Sequence, residues 1–366
     1  MKKLFFLVVV LATVSFTLQA QSVFYVDNNQ GAPNDPANNN YNSVQTAVNA
    51  ATAGDVIYIQ PSPNNYGDIN MTKPLTIYGI GHNPELNAGQ RAIVQNILFR
   101  SADASGSKIS GLDIQGIYLD NTTYNNHDVI IENNRLVQIQ GNSQTGKANR
   151  AIISGNFFYH ASTHAIYNYN SQDWVITNNT FSRPNSYWGY TLFNLLNNTT
   201  ILNNNIILSR QNGDTNQRVQ LFTNCNGTQI SNNIFIFVGN AVIDFTTLGT
   251  NSALNFQNNL TYSINTSLNP LAGSGNIDDT DPLFVSFNPA AELNNPGNDY
   301  HFQAGSPAIG TGSDLKDLGV ENGNFPFSVR GYPTELPYIT DFVINNNILS
   351  AGTDLDINVK ANANNN

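Results

Sequence analysis

Residues 173–181 read DWVITNNTF, a short apolar run broken by two asparagines and closed by an aromatic residue. Close variants of this step recur along the chain: ISGLDI from Ile109, IENNRL from Ile131, ISGNFF from Ile153, ITNNTF from Ile176, LNNNII from Leu202, ISNNIF from Ile230 and FQNNLT from Phe256. Successive starts lie 22, 22, 23, 26, 28 and 26 residues apart. A period of this size marks one supersecondary unit stacked on itself. Leucine-rich repeats share the period, but their Leu-x-x-Leu-x-Leu pattern is missing, and short apolar pairs between turn residues predict several brief strands per repeat. The pattern predicts an all-β fold, a parallel β-helix (solenoid). Coils stacked about 4.8 Å apart let an Asn at one turn hydrogen-bond its counterpart in the next coil. Asn also tolerates the left-handed backbone of a tight turn. Asn179 and Asn233 are therefore read as rungs of a structural ladder.

Composition bounds the function. The first twenty residues, MKKLFFLVVVLATVSFTLQA, carry two lysines, an apolar stretch and Leu18-Gln19-Ala20, the form of a secretory signal peptide cleaved after Ala20. The apolar part is too short to span a bilayer, and no later stretch approaches that length, so no integral membrane segment is expected after cleavage. A single cysteine, Cys225, excludes an internal disulfide framework and a cysteine-based zinc site, and it is expected to pack inside a coil. The net charge of −10 and the absence of a Lys/Arg run after the signal exclude a nucleic-acid partner. Charged residues form only 11% of the chain.

Two further regions add a resemblance. TAVNAATAGDVIYIQPSPNNYGDINMTKPLTIYGIG, from Thr46, resembles the amino-terminal cap and first coil of secreted right-handed parallel β-helix proteins of the pectin-lyase-like superfamily, and DPLFVSF, DYHFQAGSPAIGTGSD and DLGVENG resemble their last coils. The likeness runs from about Phe24 to about Gly331 and is specific for fold, whereas members of the superfamily include lyases, hydrolases and non-catalytic proteins. Val44, Ala47, Val48 and Ala51 have helical spacing, so a short amphipathic helix is expected to close the first coil. The expected organisation is a signal peptide over 1–20, a β-helix over 21–335, and a C-terminal β-hairpin with a fraying Asn-rich tail over 336–366, where Leu355, Ile357 and Val359 alternate strictly. Such a hairpin is read as an edge cover for the stack, with a sorting or attachment role as the alternative.

The resemblance implies that the Asn turn joins the second and third strands of each coil and that a variable loop leads to the next first strand. First strands are then expected near 117–119, 137–139, 165–167, 190–193, 219–222 and 242–245, and polysaccharide is expected along their outer face. The loops entering them bring Tyr159, His160, His164, Tyr167 and Tyr169, then Arg183, Tyr187, Trp188 and Tyr190, then Arg210, Asp214 and Arg218. Aromatic rings stack on sugars and arginines pair bidentately with carboxylates. Cleavage of a uronate by β-elimination would use His164 or Tyr167 as base with Arg183, Arg210 or Arg218 neutralising the carboxylate. Hydrolysis needs two carboxylates, and Asp244 has no evident mate. His160, Arg183, Tyr187, Trp188, Tyr190, Arg210, Arg218 and Asp244 are the candidate substrate-binding residues. Asp278, Asp279 and Asp281 in NIDDTDP are a candidate calcium site, with turn stabilisation as the preferred role. Two functions follow as expectations for an exported monomer: a lyase-like enzyme acting on acidic glycans, or a non-catalytic glycan-binding or surface-interaction protein.

Overall fold

The computed structural model describes residues 21–99, 102–119, 123–141, 145–159, 164–183, 191–211, 218–239, 242–244, 251–265, 267–333, 335–345 and 354–362. The proposed signal peptide lies outside them. Two long parallel sheets form the walls of a β-solenoid, one of 11 strands and one of 12. In the first, three-residue strands such as Ile130–Glu132, Ile152–Ser154 and Val175–Thr177 stack coil on coil. Their register joins Ile109, Ile131, Ile153, Ile176, Leu202, Ile230 and Phe256 in one row, the seven positions that define the repeat. All seven are fully buried in one continuous core. Alternation puts one residue of each triplet inside, and β-branched side chains suit such a packed, pleated wall.

Each triplet ends at the asparagine step, after which the third strand begins: Arg135–Gly141, Phe157–Phe158, Thr180–Arg183, Ile206–Gln211, Ile234–Gly239 and Leu260–Ser263. The expected loop between third and first strands is absent from three early coils, where Ile93–Leu98, Asp113–Tyr118 and Arg135–Gly141 run straight through both positions. In the latter two, the inward residues Ile114 and Ile117, or Leu136 and Ile139, are three apart, and the register skips one pair between them. The wall therefore turns by a change of facing instead of a loop. In the next coils Ile166–Asn168, Phe193–Asn194 and Phe222–Thr223 continue the first-strand position. Stacked phenyl rings fill the interior beneath them, with Phe158 and Phe181 4.4 Å apart and Phe193 and Phe222 5.1 Å apart.

At the amino end the helix Val44–Ala50 buries Val44, Ala47 and Val48, as its spacing predicts, and the Ser43 hydroxyl caps it by accepting from the Thr46 amide at 3.4 Å. The C-terminal region departs from expectation. Residues 282–333 do not add coils to the stack; they fold back along the outer face of the third strands as a strap. Phe284, Leu293, Tyr300, Leu318, Val320 and Phe327 of the strap form a second apolar cluster with Phe157, Ile206, Leu208, Ile234, Ile236 and Leu260. Polar ties record its direction: Asn258 Nδ2 donates to Thr311 O (2.9 Å), Asn178 Nδ2 to Val320 O (2.8 Å) and Asn83 Nδ2 to Val329 O (2.9 Å), and Lys108 pairs with Glu335. From Thr311 on, the strap thus runs opposite to the stacking direction, whereas its first part doubles back, with Phe284–Ser286 paired antiparallel to Asp299–Phe302 and Asn294 O already accepting from Asn83 Nδ2 at 2.6 Å. Beyond it, Tyr338–Ile344 and Ile357–Asn362 make the expected antiparallel hairpin as a two-stranded sheet of its own, paired with neither wall. No helix among the described residues is long and apolar enough to cross a membrane.

Candidate functional site

Along the first-strand face, strand alternation sends Ile139, Ile166, Phe193 and Phe222 into the core and their successors Gln140, Tyr167, Asn194 and Thr223 to the other face, where Asn194 is buried and the other three are half-buried. Register places Tyr118, Gln140, Tyr167, Asn194 and Thr223 in a single row across five coils. Gln138 Nε2 donates to the Tyr118 hydroxyl at 2.7 Å, and Gln140 Nε2 donates to Gln138 Oε1 at 2.8 Å. The Tyr118 ring lies over Gly116, where an added Cβ would sit 2.8 Å from Cε2. Only glycine leaves room for the ring there.

His164 stands at the entry to this row. Its Nδ1 lies 2.8 Å from the Thr191 carbonyl and its Nε2 lies 3.0 Å from Asn194 Nδ2. A carbonyl can only accept and an amide NH₂ can only donate, so this network assigns the neutral tautomer with the proton on Nδ1. Burial pushes the imidazole pKa below its usual value, opposed by the Thr191 carbonyl, which favours the charged form. Tyr167 is adjacent, with ring centroids 5.6 Å apart. The two candidate catalytic residues therefore meet, but the Nε2 lone pair that a base would use is taken up by Asn194. Asn224 extends the network with Nδ2 3.4 Å from Asn194 Oδ1.

The arginines do not all converge on this row. Arg210 points under the strap, where Nε donates to Pro289 O at 2.8 Å, Nη1 donates to Ser182 Oγ at 3.0 Å, and Nη2 bonds Ala291 O. Arg183 belongs to a third strand, opposite Ser209. Arg218 and Asp244 lie on Arg218–Gln220 and Val242–Asp244, a separate two-stranded sheet in which Gln220 pairs with Asp244. His160, Tyr187, Trp188, Tyr190 and Asp214 fall outside the described residues. Tyr159 lies beneath the Arg135 guanidinium, 3.5 Å from its ring centroid, and Arg135 in turn pairs with buried Asp113 at 3.1 Å.

The three aspartates near the last coil hold turns. Asp278 Oδ1 accepts from the Leu271 amide at 2.9 Å, Asp279 accepts from Ser263 at 3.1 Å and Leu268 at 3.2 Å, and Asp281 Oδ1 accepts from Leu283 at 2.8 Å. Among the described residues no group of three or more His, Cys, Asp or Glu side chains is arranged to hold a metal ion. Cys225 is buried in the coil, as expected, and burial pushes its thiol up to about 11. Sequence reasoning missed Gln138, Gln140, Thr191 and Asn194. The available signal was alternation, since each residue of the row directly follows an inward Ile or Phe.

No family model matches the chain, and no curated protein matches it.

Proposed function

We propose that this is an exported protein that engages polysaccharide along its first-strand face. The observation that carries the reading is the row Tyr118, Gln140, Tyr167, Asn194 and Thr223, which sets a hydrogen-bonding side chain at five successive coil steps, beginning after Leu98. A linear chain of similar units is the ligand such a row can grip at several points at once. The test is affinity electrophoresis through gels holding different polysaccharides, with Tyr167→Ala and Gln140→Ala as variants. Retardation of the wild type in at least one gel, reduced in both variants, is expected. Free migration in every gel would overturn the proposal.

A second reading, eliminative cleavage of a uronate, draws on the contact between His164 and Tyr167. Burial lowers the His164 pKa, which favours the base form and so this chemistry, whereas the occupation of Nε2 by Asn194 opposes it. Elimination leaves a conjugated unsaturated sugar, so ultraviolet absorbance should rise with acidic glycans and fall by about 10² to 10⁴ in rate in His164→Ala or Tyr167→Phe. Unchanged rates in both variants would remove these residues as the base.

A further inference from the structure

We infer that a cleft beside the amino-terminal coils, separate from the first-strand row and independent of the polysaccharide reading, binds a small sugar acid through the guanidinium of Arg91. The cleft holds about 450 Å³ between the loops at residues 61–63 and 88–91, next to the third-strand half of Ile93–Leu98. That is the size of a small-molecule site. Pro61, Pro63 and Ile93 give it an apolar wall, Asn29 and Gln90 supply amides, and Arg91 is the one charged residue that lines it.

Only part of the Arg91 fork is used by the protein. Nη1 donates to Asp113 Oδ2 at 2.8 Å, the side chain stays 38% exposed, and neither Nε nor Nη2 has a hydrogen bond among the described residues. Nε and Nη2 form one edge of the guanidinium, the edge by which Arg150 of this same chain grips Asp128 at 2.6 and 2.7 Å. An open edge of this kind fits a carboxylate bidentately. Asp113 does not neutralise it, because Asp113 also accepts from Arg135 Nη1 at 3.1 Å and two guanidiniums share one carboxylate. The other carboxylates of these loops do not line the cleft. Asp27 Oδ1 accepts from the Asn29 backbone amide and Nδ2 at 2.9 and 2.6 Å, and Glu85 is exposed on the turn Pro84–Leu86. Beside the fork, Asn29 Oδ1 is left to accept and the exposed Gln90 amide to donate and accept, the roles that sugar hydroxyls need. At the rim Ala88 and Gly89 hold φ of +53° and +78°. A left-handed alanine is strained, and strain of this kind gathers at ligand clamps.

The experiment is isothermal titration of the intact protein with glucuronate and galacturonate, against glucose and galactose, at low and high salt. At least one acid should bind, about tenfold or more tighter than its neutral counterpart, the worth of a charge-assisted contact. Salt should weaken it, because the Arg91 fork is open to solvent. Arg91→Lys keeps the charge and a partner for Asp113 but loses the fork, and should weaken the acid about tenfold. Gln90→Ala, at an exposed position, should weaken it about threefold. Circular dichroism melting of each variant separates lost binding from lost folding, and if Arg91→Lys melts early, Gln90→Ala decides. Binding of neither acid, equal affinity for acid and neutral sugar, or unchanged affinity in the folded variants would overturn the site.

Discussion

The two positions of each asparagine step do different work. The first takes the left-handed backbone: φ is +53° at Asn133, +63° at Gly155, +54° at Asn178 and Asn204, +59° at Asn232 and +51° at Asn258. Only Asn or Gly stands there, the residues that enter this region at least cost. The second is the ladder rung, running from Asn134 through Asn156, Asn179, Asn205, Asn233 and Asn259 to Asn276, with amide-to-carbonyl contacts of 2.9 to 3.2 Å. The sequence spacing identifies Asn179 and Asn233 as rungs. It does not separate the two roles, because Asn satisfies both. Asn179 Nδ2 reaches the Ile153 carbonyl at 2.8 Å, and its Oδ1 accepts from the Asn156 amide at 2.9 Å. Asn179→Leu strands buried partners on both sides and should cost on the order of 3 kcal/mol, read as a fall in Tm. Asn204→Gly keeps the turn and should change stability far less; equal losses in the two variants would contradict this division. A second residue, His82, is fully buried against Phe327, with ring centroids 5.7 Å apart, and neither ring nitrogen has a partner at hydrogen-bond geometry. Burial lowers its pKa to about 3 from 6.5, only partly offset by the nearby Ser328 backbone. The unfolded chain therefore binds the proton first, and as pH falls from about 6.5 toward 3 this residue removes roughly 1.4 kcal/mol of stability per pH unit. His164, also lowered, contributes with the same sign. His82→Phe should flatten the acid side of the stability curve in chemical denaturation at stepped pH, and an unaltered slope would show that the imidazole is already charged in the fold.

The strap is the element that the repeat does not foretell. Its sequence resembles further coils because it is rich in Gly and turn residues and carries short apolar runs, but its partners are the outer faces of coils that precede it by many residues. A signal for this was present in IFIFV at 234–238. A strand with one face in water alternates, whereas a continuous apolar run means that both faces are covered. Phe235 and Phe237 fill the core, while Ile234 and Ile236 meet the strap. Phe327 anchors the strap between Tyr300 and His82. Phe327→Ala should cost about 3–5 kcal/mol, the range for an emptied buried phenyl site, and should open the strap to limited proteolysis ahead of the coils. Proteolysis that starts in the coils at wild-type rate would argue against the strap as a separately opening unit.

At the scale of the whole molecule, the stack is nearly one-dimensional: each coil leans on its neighbours, and no disulfide closes it. That is why fold and register were legible from a row of seven apolar residues. The candidate site was legible only in part. His164 and Tyr167 lie close together in sequence and meet in space, whereas the positions of Arg210, Arg218 and Asp244 depend on the strap and on a small side sheet that no local pattern encodes. The same architecture predicts how the molecule responds to shortening. The terminal hairpin forms its own sheet, and Leu355, Ile357 and Val359 remain 48%, 42% and 49% exposed. A chain ending at 337 should therefore melt at the temperature of the full protein. A chain ending at 281 also lacks the strap, which leaves Ile206, Leu208, Ile234 and Ile236 bare on one side of the stack. Such a contiguous apolar surface favours association, so this shorter chain should bind a hydrophobic dye, aggregate and melt at lower temperature. Circular dichroism melting with dye fluorescence distinguishes the two. A fall in Tm on removal of the hairpin alone would mean that it braces the stack, and a soluble, equally stable chain ending at 281 would mean that the third strands need no cover.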